Sequence, residues 1–254
     1  MIYKKYGICP PMESFIKKDC PLMFGCEYEI EDVIGLTDAA LPHITITNDG
    51  SLRNNGKEFI TSPLDLEASL YVFDSLHSKL ECGANPFTDR TSIHVHVNCC
   101  NLELDEVRNI VLLYALFEES FFRLVSNTRR NNIHCVALTE TFLPAIYRVP
   151  LATMVSKWHK YTALNLKPLA TQGTIEFRHM HGHADTALLR TWLTVIANLF
   201  AVGKTFTPSI ETLSEDSLGK LFTAIFGDTP LADDWGYIRE QMENQLLDVK
   251  LATL

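Results

Sequence analysis

Several absences narrow the reading of this chain. Its seven cysteines include no Cys-x-x-Cys pair, no glycine-rich loop of the Walker type is present, and no apolar run is long enough to span a bilayer. The cysteines, at positions 9, 20, 26, 82, 99, 100 and 135, are odd in number and thinly spread. That pattern argues against a disulfide framework and for a reducing compartment with buried, inert thiols. Cys99 and Cys100 can also be read as zinc ligands. The start of the sequence has no basic stretch followed by an apolar one, so a soluble cytoplasmic protein with no membrane partner is expected. Positive charge is scarce too: 22 Lys and Arg against 31 Asp and Glu give a net charge of −9. A general nucleic-acid binder depends on neutralising phosphates, and beyond Arg129 and Arg130 there is little to do so. No internal repeat, low-complexity tract or linker interrupts the 254 residues, of which 46% are apolar. One domain over residues 22–254, after an irregular lead-in over 1–21, is therefore expected.

Periodicity supplies the elements. Leu22 to Glu31 alternates apolar with polar or small residues and reads as a strand. Thr45 to Ser62 reads as a strand pair with turns at Asn48-Asp49-Gly50 and Asn54-Asn55-Gly56. Leu64 to Leu80 has helical spacing, ended by Cys82-Gly83. Thr91 to Asn98 is a further strand. A long amphipathic helix, capped by Asp105, runs to about Val125. Residues 126–150, with Pro144 and Pro150, resist assignment. Beyond them come a short helix over Met154–Lys160, an extended Tyr161–Leu166, a strand over Thr174–His179 and an apolar helix over Ala184–Gly203. Helices over Glu211–Phe226 and Asp233–Leu251 complete a C-terminal group at about 206–254.

Chemistry gathers on three of these strands. Glu27, Glu29 and Glu31 alternate with Tyr28 and Ile30; His94 and His96 flank Val95; Glu176 and Arg178 flank Phe177. Side chains two apart on a strand share a face, so each strand has an apolar face and a reactive one. If the strands share a sheet, their acids, imidazoles and guanidinium converge with Glu58 above it. Adjacent carboxylates on one strand repel. A hard divalent cation such as Mg²⁺ or Mn²⁺ resolves that conflict. The plain alternatives are a solvated acidic face, a pair of surface histidines and a structural Glu176–Arg178 ion pair. His179, His181 and His183 also alternate, although Gly182 suggests a turn among them.

Five segments, in order, resemble the motifs of the amidoligases, carboxylate–amine ligases similar to glutamine synthetase and γ-glutamylcysteine synthetase. They are Phe24-Gly25-Cys26-Glu27-Tyr28-Glu29, Glu58-Phe59-Ile60-Thr61-Ser62-Pro63, His94-Val95-His96-Val97, Tyr161-Thr162-Ala163-Leu164-Asn165-Leu166 and Gly173-Thr174-Ile175-Glu176-Phe177-Arg178. The resemblance covers roughly residues 22–205. It implies an α+β, glutamine-synthetase-like catalytic domain, mostly antiparallel sheet with helices packed on one face. It also implies an ATP-dependent ligase that forms an amide or isopeptide bond through an acyl phosphate.

By match, Glu27, Glu29, Glu58 and Glu176 would bind metal, with His94 or His96 as a metal or phosphate contact; His96 is the one carried into the metal set. Arg178 would stabilise the transferred phosphoryl group. Tyr161 and Asn165 would position nucleotide or substrate, and Arg129 or Arg130 would add phosphate contacts. Amine and carboxylate substrates, possibly on a peptide or protein, a glutaminase partner supplying ammonia, and a homo-oligomer are further expectations of the resemblance. One departure stands out: a glycine common before the histidine strand is replaced by Ser92-Ile93, which predicts an altered turn. A phosphotransferase on the same fold, a zinc hydrolase built on His94 and His96, and an inactive scaffold remain as alternatives.

Overall fold

A computed structural model describes residues 20–36, 41–138, 149–209, 211–243, 246–247 and 249–250. All but the last two positions of the expected lead-in lie outside the described residues, as do Pro144 and the Leu251 end of the last expected helix. The strands are β1 (Phe24–Ile30), β2 (Val33–Leu36), β3 (Ile44–Thr47), β4 (Lys57–Thr61), β5 (Leu80–Cys82), β6 (Ser92–Asn98), β7 (Leu164–Asn165) and β8 (Thr174–His181). Six of them form one antiparallel sheet in the order β3-β4-β1-β6-β8-β7, while β2 pairs with β5. The helices are α1 (Leu66–Lys79), α2 (Leu104–Arg123), α3 (Asn127–Arg130), α4 (Leu151–Lys157), α5 (Thr186–Thr205), α6 (Glu215–Phe226) and α7 (Trp235–Gln241). The chain is thus α+β, as expected, although the extended stretch read over Tyr161–Leu166 contracts to the two residues of β7.

Alternation assigns the sheet its two faces. Cys26, Tyr28, Ile30, Ile93, Val95, Val97, Ile175 and Phe177 are each at most 1% exposed and form one face. Helices α1, α2 and α5 cover it. Tyr28 meets Phe73 of α1 with ring centroids 5.2 Å apart, and Phe177 lies 6.2 Å from Phe121 of α2 and 6.4 Å from Trp192 of α5. Burial of each such ring contributes about 1.5–3 kcal/mol. A Cβ on Gly203 of α5 would fall 2.4 Å from Ile110 Cγ1, so only glycine permits the close approach of α5 to α2. By length and composition alone α5 is apolar enough to cross a membrane. Here Leu189, Trp192, Leu193, Ile196, Leu199 and Phe200 of this helix are buried in the core.

Helix α2 begins one residue before the expected cap. Glu103 is its N-cap, and its N–H donates to Glu106 Oε2 at 2.6 Å. Asp105 instead accepts from Arg108 at 2.8 Å.

The cysteines depart from the expected set of inert thiols. Cys20 and Cys100 form a disulfide across 80 residues of sequence, whereas Cys26, Cys99 and Cys135 are buried thiols. Tertiary hydrogen bonds bring the two together. Asn98 Oδ1 accepts from Met23 N–H (2.8 Å), Asn98 Nδ2 donates to Pro21 O (3.1 Å), and Asn101 Nδ2 donates to Cys20 O (3.0 Å). Cys100 is therefore not an inert thiol.

Candidate active site

The face of the sheet away from the helices carries a continuous polar row, and the strand register builds it. Directly opposed across neighbouring strands are Glu58 and Glu29, Glu27 and His94, His96 and Glu176, and Glu176 and Asn165. The three reactive strands of the sequence thus lie side by side, with β4 and β7 extending the row.

Glu27 is the hub. Its Oε1 lies 3.2 Å from His96 Nε2 and its Oε2 lies 3.3 Å from His94 Nδ1. His94 Nδ1 also lies 3.7 Å from Glu176 Oε1. Burial alone would raise the Glu27 carboxyl, but the charges of His96 and His94 and their hydrogen bonds outweigh it. The group is held well below its ordinary value. Burial opposes charge on His96, yet Glu27 and Glu176 raise this imidazole above its usual value. Glu58 shifts the other way from Glu27: burial, then the charges of Glu27 and Glu29, raise its carboxyl. Asn165 Nδ2 donates to Glu176 Oε2 at 2.6 Å, and the Arg178 guanidinium bonds Glu176 Oε1. Two donor groups here have the spacing of cation sites. Ligand atoms of Glu27, His96 and Glu176 lie within 4.8 Å of one another, as do those of Glu29, Asp49 and Glu58. An all-oxygen set and an oxygen set with one imidazole suit hard divalent ions.

A cavity of about 830 Å³ stands over the row. Glu27, Glu29, Glu58, His94, Arg178, Arg129 and Tyr161 reach it. Arg129 is only 2% exposed, and its guanidinium donates to the carbonyls of His179 (3.1 Å) and Arg178 (2.6 Å). Arg130 does not line the cavity; it pairs with Glu119 at 2.7 Å and covers the Phe122 ring. A phosphate contact from Arg130 therefore loses its geometric basis, because consecutive residues of α3 point in different directions. Glu31 also leaves the acid row. Strand β1 ends at Ile30, and the Glu31 carboxylate accepts from Arg53 N–H (2.7 Å) and Thr88 Oγ1 (2.9 Å), tying two loops to the sheet.

The histidines after Phe177 do not share a face either. A bulge in β8 sets Arg178 and His179 against His94, so the alternation slips. His179 enters the core with its Nε2 2.7 Å from the Tyr114 hydroxyl, while His181 pairs opposite Ser92.

Two site residues escaped the sequence reading. Ser92, read as a change of turn, donates to Glu29 Oε2 at 2.5 Å and lies 2.8 Å from His94 Nε2. Its position two residues before His94 was the available signal, since it places the hydroxyl on the reactive face. Asp49 lies in a turn, where no periodicity could have announced it.

The site is thus a pocket of carboxylates, imidazoles and guanidinium groups on an antiparallel sheet. A scan against protein families matches residues 27–199 to the family described as "Putative amidoligase enzyme". That span includes every residue of the polar row, and the chain belongs to this amidoligase family. Its function is accordingly of the ligase type. A search of curated proteins returns no match.

Proposed function

We propose that this protein is an ATP-dependent carboxylate–amine ligase that works with Mg²⁺ or Mn²⁺. The observation that carries the reading is a cavity lined by Glu29, Asp49, Glu58, Arg178 and Arg129 together with Glu27, which belongs to a second cation-suited group with His96 and Glu176. Phosphoryl transfer is mainly positioning and charge neutralisation, and this wall offers both. Glu27, His96 and Glu176 would hold one cation, and Glu29, Glu58 and Asp49 a second. When bound, such cations neutralise and align phosphate oxygens. Arg178, steadied by Glu176 and by the His134 carbonyl that accepts from its Nε at 3.1 Å, would face the transferred phosphoryl group. Asn165 keeps the Glu176 carboxylate aimed. The substrate carboxylate would take the γ-phosphoryl group of ATP, and an amine would then displace phosphate to leave an amide or isopeptide bond. A glutamine-synthetase-like kinship and cytoplasmic residence are part of the same proposal.

The test is phosphate release from ATP and Mn²⁺ with a panel of amines and carboxylates, followed by mass analysis of products. Joined molecules lighter by one water support a ligase, whereas a product heavier by one phosphate supports a phosphotransferase instead. Glu176→Gln should lower turnover about 10²–10³-fold while the chain still unfolds cooperatively from a native-like circular dichroism spectrum. No nucleotide binding and no turnover across the panel would overturn the reading.

A further inference from the structure

Apart from Ile133, His134 and Tyr161, the side chains lining the cavity are charged, imidazole or small and polar. Ile133 lines the cavity yet is 75% exposed. His134 and Tyr161 stand beside it, their rings edge to face with centroids 4.9 Å apart at 76°. Lys160 Nζ lies 4.5 Å from the Tyr161 centroid.

Backbone hydrogen bonds fix this rim in place. Val136 N–H donates to Tyr161 O (2.7 Å), Ala163 N–H donates to Val136 O (2.7 Å), and His134 N–H donates to Asn132 Oδ1 (2.8 Å). Asn132 Nδ2 then bridges to Asp89 O (3.3 Å) on the loop across the cavity. The His134 carbonyl is also the one that holds Arg178, so the apolar rim ends where the guanidinium begins. With cations held by the acid row, a ligand filling the whole cavity would carry a flat apolar end, a linker and a polyanionic end.

We propose that Ile133, His134 and Tyr161 form the platform for the nucleobase of a nucleoside triphosphate, whose phosphates run past Arg178 to the acid row. The inference rests on the ligase reading and adds to it the place and chemistry of base recognition. Aromatic faces stack every base, which accounts for a platform of rings and one aliphatic side chain.

The experiment measures Mn²⁺-dependent binding of ATP and of inorganic tripolyphosphate to the full chain by calorimetry, in wild type, Tyr161→Ala, Tyr161→Phe and Ile133→Ser. ATP affinity should fall about tenfold or more in Tyr161→Ala, by a smaller factor in Ile133→Ser, and hold in Tyr161→Phe, with tripolyphosphate unchanged in all. Because Ile133 is exposed, its variant keeps the fold and the test intact even if Tyr161→Ala does not. Equal weakening of both ligands, or no weakening of ATP, overturns the platform and leaves the ligase reading standing. A wild-type chain that binds neither ligand overturns both.

Discussion

Glu58→Gln tests whether the acid row is held together against its own electrostatics. Glu58 and Glu29 are direct cross-strand partners. Burial and the charges of Glu27 and Glu29 raise the Glu58 carboxyl above its ordinary 4.5. Like charges placed directly opposite cost about 0.2–1 kcal/mol, so neutralising one should stabilise the cation-free protein by up to about 1 kcal/mol. Gln keeps the side-chain shape and an oxygen for the Thr47 hydroxyl, which donates to Glu58 Oε2 at 2.8 Å. In a chain of this length that gain corresponds to a rise of about 2–4 °C in Tm.

The sign with pH follows from the raised value. The folded state holds this proton more tightly than the unfolded state, so the residue costs stability as pH rises through its folded value. That cost disappears as pH falls towards 4.5. The advantage of the variant should therefore be full near neutrality and vanish below about pH 4.5.

Mn²⁺ should act in the opposite sense. At a hundred times its Kd a cation stabilises wild type by about 2.7 kcal/mol, and a variant missing one ligand should gain less than half as much. Thermal unfolding in EDTA and in Mn²⁺ reads both effects. A Glu58→Gln protein less stable than wild type in EDTA, or shifted equally by Mn²⁺, would refute the argument.

Other expectations follow from the same geometry. Ser92→Ala removes the donor to the buried Glu29 carboxylate and should cost about 1.5–3 kcal/mol in chemical denaturation, a loss absent in a Glu29→Gln, Ser92→Ala background. Reduction of the Cys20–Cys100 bond, or Cys20→Ser, should destabilise by about 2–4 kcal/mol, because the bond closes 80 residues of chain; an unchanged Tm in dithiothreitol would contradict it. Burial holds His77 and His183 neutral, at about 4 against an ordinary 6.5. Their contribution should be complete above pH 6.5 and be lost as pH falls towards 4, with a combined slope approaching about 2.7 kcal/mol per pH unit. A His77→Leu, His183→Leu protein should lack that part of the slope.

Much of the site was legible because strand chemistry is local. Alternation alone fixed which side chains of Glu27, Glu29, His94, His96, Glu176 and Arg178 share a face with one another within each strand. The order of motifs then pointed to the family. Legibility ended where position depends on something other than period two. The β8 bulge diverted His179 into the core, and the positive φ of Asp32 accompanies the end of the acid row at Ile30. Adjacent residues of one short helix sent Arg129 into the cavity and Arg130 to Glu119.

The sequence by itself determined the three strands that carry Glu27, His94 and Glu176, their two faces and the kind of groups the reactive face would present, since each depends on dihedral alternation over a few residues. Only the tertiary structure decided which strands became neighbours. It therefore decided that Glu29 would face Glu58, that Glu27 would be shared by two imidazoles, and that Asp49, Ser92 and Ile133 would join them. Cross-strand register arises from pairing between segments as distant as Ser92 and His181, and the cavity joins residues as distant as Glu27 and Arg178. No local pattern encodes such distances, and the Cys20–Cys100 bond was hidden for the same reason.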